Sequence, residues 1–453
     1  MKEQQKMLAT APVGPLLLKM AIPTITANLI HVLYNMIDRM FIGHIPEVGP
    51  EALTGVGVCL PLTVIVMAFA ALAGSGGAPR ASILMGQGKP DDAQKILGNC
   101  ATAIVIMGLI LMCVQWIFGK DLLYLFGASN VTIGYAWDYL KIYAAGSVFV
   151  LISCGLNSFI TAQGFTKISM ISVIIGALSN IILDALFILV FNMGVEGAAL
   201  ATVIAQFFSS VWIIRFLRGN KTALRIQKKN LRIEKRIYLP CAALGLSPFV
   251  MQSTEGLITI CFNTSLLQYG GDIAVGAMTI LASVMQLSML PLTGITQGAQ
   301  PIISYNYGAG NLDRVKKTFF LTFRACMIFA AVIWAMSMFL PQLFIGIFTS
   351  DAELTLYTEK AIHIYMATAF LLGIQVSCQQ TFLALGKAKI SLFLAALRKI
   401  FLLIPLIYIV PHFVEAKDMG VFLAEPIADT LAVIATASCF IYEFRKIIKV
   451  NNQ

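Results

Sequence analysis

Residues 34–43 read Tyr34-Asn35-Met36-Ile37-Asp38-Arg39-Met40-Phe41-Ile42-Gly43 and close an apolar run that begins near Leu16. The run can cross a bilayer, because a hydrocarbon span needs about 20 residues. Asp38 therefore lies inside the membrane, roughly 7 Å from the outer end of this helix. A carboxylate at that depth costs a few kcal/mol or more. Two interpretations are open: Arg39 neutralises Asp38 near the interface, or Asp38 faces a cavity and binds a cation or a proton.

The composition predicts a membrane protein. The chain is 58% hydrophobic and only 12% charged, whereas soluble domains carry about 25% charged residues. The apolar runs are too long and too many for a membrane β-barrel, whose strands are short and alternate. We therefore predict an all-α integral membrane protein with twelve transmembrane helices, over residues 16–43, 52–78, 93–117, 135–161, 167–191, 195–217, 237–269, 274–300, 316–340, 357–384, 388–410 and 419–441.

Positive charge follows the sides of the membrane. The net charge of +10 could indicate nucleic-acid binding. However, placing the segment between the sixth and seventh helices in the cytoplasm puts all but five of the 32 Lys and Arg residues on that side, as the positive-inside rule requires. We predict a multi-pass protein of the cytoplasmic membrane that contacts lipids, has both termini in the cytoplasm and binds no nucleic acid. The five exceptions are Arg39, Lys120, Lys141, Lys360 and Lys417.

The second half of the sequence repeats the first. Pro23 matches Pro248, and after a three-residue shift the correspondence continues through Pro79 and Pro301, Gly86 and Gly308, Gly88 and Gly310, Asp91 and Asp313, and Lys95 and Lys317. Six spans per half is an even number, so both halves insert the same way up, as parallel repeats with a site between or within them. We predict two six-helix bundles, 1–214 and 237–453, joined by a basic cytoplasmic linker at 215–236.

A polar set in the first half falls in one layer of the membrane. The fifth helix carries Asn180 and Asp184 on one face, four residues apart. Asp184 and Thr202 of the sixth helix each lie roughly 12 Å from the outer end, in the outer half that also holds Asp38. Two carboxylates, an amide and a hydroxyl suit a hard cation such as Na⁺, or a shared proton. We predict a cation or proton site from these four residues, the alternative being that Asn180 and Thr202 only join helices.

The second half departs from this pattern. Asn263 stands at the position of Asp38, and leucines stand at those of Asn180 and Asp184. Glu255 falls near the middle of the bilayer on the seventh helix. It either meets a cationic substrate or a second coupling ion, or it is a structural carboxyl group bonded to a neighbouring helix. The residues predicted to line a substrate cavity are Tyr34, Asn35, Gln252, Glu255 and Asn263.

Other polar or helix-breaking residues have simpler interpretations. Glu425 and Asp429 share a face of the twelfth helix beside Pro426, which frees a backbone carbonyl, and we assign them to structure. His31 is predicted to be a packing residue, the alternative being a proton carrier. Pro23 removes one backbone hydrogen bond from the first helix and permits a bend, so we predict a conformational hinge there.

Several kinds of site are excluded. The nine cysteines stand singly in apolar runs, which indicates neither disulfides nor a zinc site. The glycine-rich stretch at 74–92 does not match a phosphate-binding loop, and we interpret it as the end of the second helix and a tight turn. None of the four histidines has the spacing of a membrane-embedded enzyme, and nothing resembles a channel's pore loop. We therefore predict no enzymatic activity and no cofactor.

The whole chain resembles the multidrug and toxic compound extrusion (MATE) family, and most of all its MepA-like bacterial branch. Besides the features above, the resemblance rests on two segments, Asn180-Ile181-Ile182-Leu183-Asp184 and Gly194-Val195-Glu196-Gly197-Ala198-Ala199. The resemblance implies cation or proton binding by Asp38, Asn180, Asp184 and Thr202. Some members have a second ion site formed by a seventh-helix Glu and a tenth-helix Asp. Residues 371–376 of the tenth helix lack that Asp here.

The resemblance implies a monomeric secondary antiporter that exports organic, mostly cationic compounds by alternating access, in exchange for H⁺ or Na⁺. One charge that moves through about 100 mV supplies roughly 2.3 kcal/mol, enough for a substrate gradient on the order of fifty-fold. The alternative is a flippase for lipid-linked precursors, which should have a basic central cavity. The charges predicted within the membrane are mainly acidic, which favours cationic substrates.

Overall fold

The computed structural model describes residues 2–45 and 48–449, and every regular element in these ranges is helical. Ten helices there are long and apolar enough to cross a membrane, or eleven when the bent pair Ala352–Tyr365 and Ala369–Ala384 counts as one span. One of the ten, Lys235–Gly308, breaks at Gly271, where φ is 69° and ψ is −162°. Each side of this break is long enough for a span. The described chain therefore has twelve spans, as predicted.

The spans are numbered one to twelve in chain order and follow a short helix, Lys2–Thr10. The first six are Val13–Gly43, Gly49–Gly86, Pro90–Leu125, Ile133–Ala162, Thr166–Val190 and Gly194–Arg218. The last six are residues 235–270 and 272–308, Leu312–Phe339, Ala352–Tyr365 with Ala369–Ala384, Ala388–His412 and Lys417–Lys449.

The loops alternate between two faces of the molecule. We call the face that holds both ends of the described chain, Lys2 and Lys449, the terminal face, and its loops are residues 87–89, 163–165, 219–234, 309–311 and 385–387. The opposite face, where the first helix ends and the second begins, is the distal face.

The second helix is longer than predicted. Residues 74–80 of its glycine-rich stretch are helical, the helix continues to Gly86, and the predicted turn follows at Gly88, whose φ is 73°. The glycines of the helical part serve close packing: a Cβ atom on Gly76 would overlap the carbonyl oxygen of Cys241 in the seventh helix. The stretch therefore combines glycines for tight helix contact with the turn that was predicted.

Three spans depart from a regular α-helix. The fifth helix becomes a π-helix over Ala185–Val190, directly after Asp184, and the eleventh does so over Leu397–Leu403. The tenth helix bends by 47° between its two segments. The two π-helical segments lie on helices related by the repeat, and such segments are frequent at functional sites.

Three apolar cores hold the spans together. The first is built from helices one to six and includes Cys241, from the start of the seventh helix. The second lies among helices seven to twelve around Phe262. The third lies near the terminal face and joins Leu16 of the first helix to Ile302 and Phe382 of the second half. The two halves therefore interlock near the terminal face, since each contributes to a core of the other.

Two close backbone contacts between the halves are related to each other by the repeat. A Cβ atom on Gly86 would overlap the carbonyl oxygen of Tyr305, and one on Gly308 would overlap that of Ile83. The repeat relates Gly86 to Gly308 and Ile83 to Tyr305, so the two contacts are a pseudo-twofold pair. Glycine lets the second and eighth helices approach closely at the terminal face.

We expect Gly86→Val to destabilise this contact by about 1–3 kcal/mol, because the added side chain has no room beside the eighth helix. Thermal unfolding of the detergent-purified protein measures the effect. Gly57→Val is the matched control on the same helix, since no atom lies within 4 Å of a Cβ placed at Gly57. Equal melting temperatures for the two variants would contradict the prediction.

The short amino-terminal helix connects the two halves across the terminal face. Gln4 Nε2 donates a hydrogen bond to the carbonyl oxygen of Gly164, 2.6 Å away, in the loop that follows the fourth helix. Arg314 Nη2, from the ninth helix, donates to the carbonyl oxygen of Leu8 at 3.0 Å. The halves are therefore joined by polar contacts as well as by the shared core.

Candidate functional site

The structure places Asp38, Asn180, Asp184 and Thr202 side by side in the distal half of the first six helices. Asn180 Nδ2 donates to Thr202 Oγ1 at 3.4 Å. The carboxyl groups of Asp38 and Asp184 lie close enough to influence each other electrostatically across the gap between the first and fifth helices. Asn180 and Asp184 occupy one face because they lie one helical turn apart. Three helices thus deliver two carboxyl groups, an amide and a hydroxyl to one point.

Four acceptor atoms of this cluster lack hydrogen-bond partners among the described residues. Asp38 Oδ1, Asn180 Oδ1 and both carboxyl oxygens of Asp184 are buried and accept no hydrogen bond from any described residue. None of the ion pairs within the described ranges includes either carboxyl group, so Arg39 makes no direct ion pair with Asp38. A buried acceptor without a partner costs about 1–3 kcal/mol, and more when charged. This set of oxygen atoms is of the kind that suits a proton or a hard cation such as Na⁺.

Three adjoining cavities lead from this cluster to the middle of the molecule. The first, of about 80 Å³, is lined by Asp38 and Thr202, and the second, of about 90 Å³, lies farther along the fifth helix. The third, of about 470 Å³, lies between the two halves, and we call it the central cavity. His31 and Cys154 line all three. The predicted packing residue His31 therefore stands at their junction, its ring edge-on to Tyr34 with the centroids 5.1 Å apart.

The predicted substrate residues divide into three groups. Gln252 lines the central cavity, while Tyr34 and Asn35 line the smaller cavity beside Asp38. Glu255 and Asn263 line none of the three cavities. Apart from His31, the polar side chains around the central cavity are uncharged, and they include Asn28, Asn157, Ser158, Thr161, Thr293, Gln297, Gln300 and Gln380.

Aromatic and amide side chains near the ion cluster were not predicted from the sequence. Tyr139 and Tyr143 line the cavity beside Asp38 and stack on each other with ring centroids 6.0 Å apart. Gln206 lines the same cavity and accepts a hydrogen bond from Ser153. Because their spacing on the fourth and sixth helices is also that of ordinary packing residues, their place in the cavity could not be predicted from the sequence.

Arg398 and Lys399 lie inside the membrane, although the positive-inside assignment counts them as cytoplasmic. They are buried about ten residues into the eleventh helix, roughly 15 Å from the terminal face. Lys399 Nζ forms an ion pair with Glu255 Oε1 at 2.8 Å. The intramembrane acids of the second half, Glu255, Glu425 and Asp429, are therefore paired with two basic residues that were not predicted within the membrane.

Glu425 and Asp429, assigned to structure, share one partner. Arg398 Nε lies 2.6 Å from Asp429 Oδ1, and Arg398 Nη2 lies 3.3 Å from Glu425 Oε1. All three side chains are buried. The acidic pair one turn apart on the twelfth helix was a usable signal for a facing base, but the sequence did not show which helix supplies it.

The first helix is continuous through Pro23, from Val13 to Gly43. Next to this residue the eighth helix approaches closely, because a Cβ atom on Gly298 would lie 2.7 Å from the Cα atom of Ala21. Pro23 therefore lies where the first helix packs against the second half.

The family model described as MatE matches the chain twice, over residues 23–186 and 248–409. The two matches begin at Pro23 and Pro248, the residues at which the repeat in the sequence begins, and together they cover most of the chain. The chain belongs to the MATE family.

The relatives agree with a MepA-like MATE protein, as predicted. The multidrug export protein MepA of Staphylococcus aureus (strain N315) is 25% identical over 453 residues, covering 99% of this chain and 98% of its own. MepA of Staphylococcus haemolyticus (strain JCSC1435) is 26% identical over 355 residues, covering 78% and 77%. Among solved structures, a ligand complex of the MATE multidrug transporter DinF-BH matches with a TM-score of 0.89 and 35% identity, over 97% of both chains. An outward-facing MATE transporter of the MOP superfamily shares the fold, with a TM-score of 0.91 at 19% identity over 98% of both chains.

For this MATE chain we expect Asn180→Ala and Thr202→Val each to slow ion-driven transport severalfold. Each removes one neutral ligand atom, worth about 1 kcal/mol, and leaves both carboxyl groups in place. Initial transport rates in proteoliposomes measure the loss. Thr264→Val, at an exposed position on the seventh helix, is the control, and equal rates for it and Thr202→Val would exclude a role for that hydroxyl.

Proposed function

We propose that this chain is a secondary antiporter that exports organic, mostly cationic compounds in exchange for H⁺ or Na⁺. Its MepA relatives are multidrug export proteins, and DinF-BH, at 35% identity, is a multidrug transporter. The protein is a transporter rather than an enzyme, and it requires a coupling ion rather than a cofactor.

The observation that carries the proposal is the cluster of unpartnered acceptor atoms around Asp38 and Asp184, next to a route to the central cavity. An unpaired carboxyl pair within the membrane is costly unless it binds a positive charge. The uncharged polar lining of the central cavity suits varied organic substrates, whereas a lipid-linked pyrophosphate would need basic groups there.

We further propose that the terminal face lies in the cytoplasm and that the protein works as a monomer in the cell membrane. The bundles 1–214 and 237–453, joined by the linker 215–236, rock about their shared contacts, as expected for parallel-repeat transporters. The glycine contacts at the terminal face then close the cytoplasmic side of the central cavity in this conformation.

Substrate and coupling ion compete through the first helix in this mechanism. Asp38 and Pro23 share that helix, and the backbone bond missing at Pro23 allows two shapes. If the occupied ion site changes substrate affinity, linkage requires that substrate change ion affinity by the same factor. Equilibrium binding of the fluorescent cation ethidium at several pH values and Na⁺ concentrations tests this for the wild type and for Pro23→Ala. Ethidium affinity that is independent of both pH and Na⁺ would rule out competition. Normal coupling in Pro23→Ala would exclude Pro23 as the hinge but would leave Asp38 as the ion site.

Counterflow of ethidium in proteoliposomes, with independently imposed Na⁺ and pH gradients, tests the function. We expect one of the two gradients to drive uphill accumulation of the dye. Dye movement that responds to neither gradient would contradict antiport. Translocation of a lipid-linked pyrophosphate without movement of ethidium would indicate a flippase.

A further inference from the structure

The seventh and eleventh helices are held in register along their contact. Ser391 Oγ donates to Ser247 Oγ at 2.9 Å, and Lys399 Nζ donates to Glu255 Oε1 at 2.8 Å, both pairs being 144 residues apart. Farther toward the distal face, Ser265 Oγ donates to a carbonyl oxygen of the eleventh helix. The ion pair between Lys399 and Glu255 is therefore fixed by contacts on either side of it.

Glu255 lies on the cavity side of the seventh helix. The helical period aligns it with Pro248 and Gln252, which both line the central cavity, and places it one turn closer to the distal face. Its side chain is 57% exposed, whereas that of Lys399 is 8% exposed. Glu255 is not one of the residues that line the three cavities, but its exposed carboxylate lies on the helix face that Pro248 and Gln252 share, while the ammonium group approaches it from the buried side.

The equivalent helix pair in the first half, the first and fifth helices, has different electrostatics. Its carboxyl groups, Asp38 and Asp184, lie about two turns nearer the distal face than the positions equivalent to Glu255 and Lys399, and neither forms an ion pair with a described residue. The repeat equivalent of Lys399 is Ala177, which lines the cavity of about 90 Å³. One half thus leaves open space where the other half holds a side-chain cation.

We propose that Lys399 is a built-in counter-cation that determines charge selectivity. Its ammonium group takes, at Glu255, the place that a second coupling ion or a second positive charge on a substrate would otherwise occupy. Arg398 cannot substitute for it, because its guanidinium group is bound to Glu425 and Asp429. The transporter therefore favours substrates with one positive charge over those with two. This inference rests on the proposed export of organic cations and adds a charge limit to it.

Removing the ammonium group should shift the preference toward dications. The probes are ethidium, with one positive charge, and propidium, with two on the same ring system, titrated against detergent-purified protein. In Lys399→Met we expect the propidium-to-ethidium affinity ratio to rise by about tenfold or more, since one charge acts across a few ångströms of partly dehydrated space. Lys399→Arg keeps the charge and should keep the wild-type ratio. Glu255→Gln leaves the ammonium group unbalanced and should lower the ratio.

The double variant Lys399→Met/Glu255→Gln removes both charges and should restore the wild-type ratio. The proposal is overturned if the propidium-to-ethidium affinity ratio of Lys399→Met equals that of the wild type. It is also overturned if the double variant shows the same rise in this ratio as Lys399→Met. If Lys399→Met does not fold, an unchanged ratio in Glu255→Gln overturns it instead.

A second measurement does not depend on dye binding. Na⁺, compared with choline at equal ionic strength, should raise the melting temperature of Lys399→Met more than that of the double variant, because only the former exposes an unpaired carboxylate. If Na⁺ raises the melting temperatures of the two variants by the same amount, the proposal is overturned. If ethidium does not bind the wild type, the proposed function fails, while the Na⁺ measurement still decides the role of Lys399.

Discussion

Asp38→Asn is expected to abolish ion-driven export while leaving membrane insertion and folding intact. Asparagine keeps the shape of the side chain but removes its charge. Asp38 Oδ1 accepts no hydrogen bond from the described chain, so the substitution removes the attraction for a cation and breaks no structural contact at that atom. A charge at this depth costs a few kcal/mol, so the melting temperature should stay unchanged or rise. Transport of ethidium into proteoliposomes under an imposed gradient measures the loss.

Asp184→Asn should behave in the same way, because its carboxyl group is buried, accepts no hydrogen bond from a described residue and lies close enough to that of Asp38 to interact with it electrostatically. Glu51→Gln is the matched control, since Glu51 is an exposed carboxylate at the distal face. Transport by Asp38→Asn at a rate close to that of the wild type would show that the coupling site lies elsewhere.

Arg398→Met is expected to destabilise the protein by about 3–5 kcal/mol, the largest stability loss that we predict. The substitution leaves Glu425 and Asp429, which are 4% and 3% exposed, without their shared basic partner. Removing one partner of a buried ion pair is costly because the remaining charge stays buried and unpaired. Thermal unfolding in detergent, together with the yield of folded protein, measures the effect.

The triple variant Arg398→Met/Glu425→Gln/Asp429→Asn should recover most of this loss, because it removes all three charges together. Arg324→Met, at an exposed position on the ninth helix, is the control for loss of an arginine within a span. If Arg398→Met is as stable as this control, the two carboxyl groups do not depend on Arg398.

Features that depend on local sequence were predictable. The number of spans follows from the length of apolar runs, and the repeat follows from matched residues such as Pro23 and Pro248, from which the two family matches also start. The depths of Asp38, Asp184 and Thr202 follow from the helical rise, and these residues do lie together in the structure. Twelve spans, two parallel repeats and the MATE family could all be predicted without coordinates.

Which helices face each other was decided only by the tertiary structure. Lys399 and Glu255 are 144 residues apart, and an adjacent Arg and Lys normally indicate the end of a span, because an unpaired charge in the bilayer is costly. Their place inside the eleventh helix becomes favourable only when acidic groups of the seventh and twelfth helices surround them. The glycines near Gly76 likewise suggest a turn until the seventh helix packs against them. Apolar length is a property of one segment, whereas charge balance and close packing belong to pairs of helices, so the sequence alone left them undetermined.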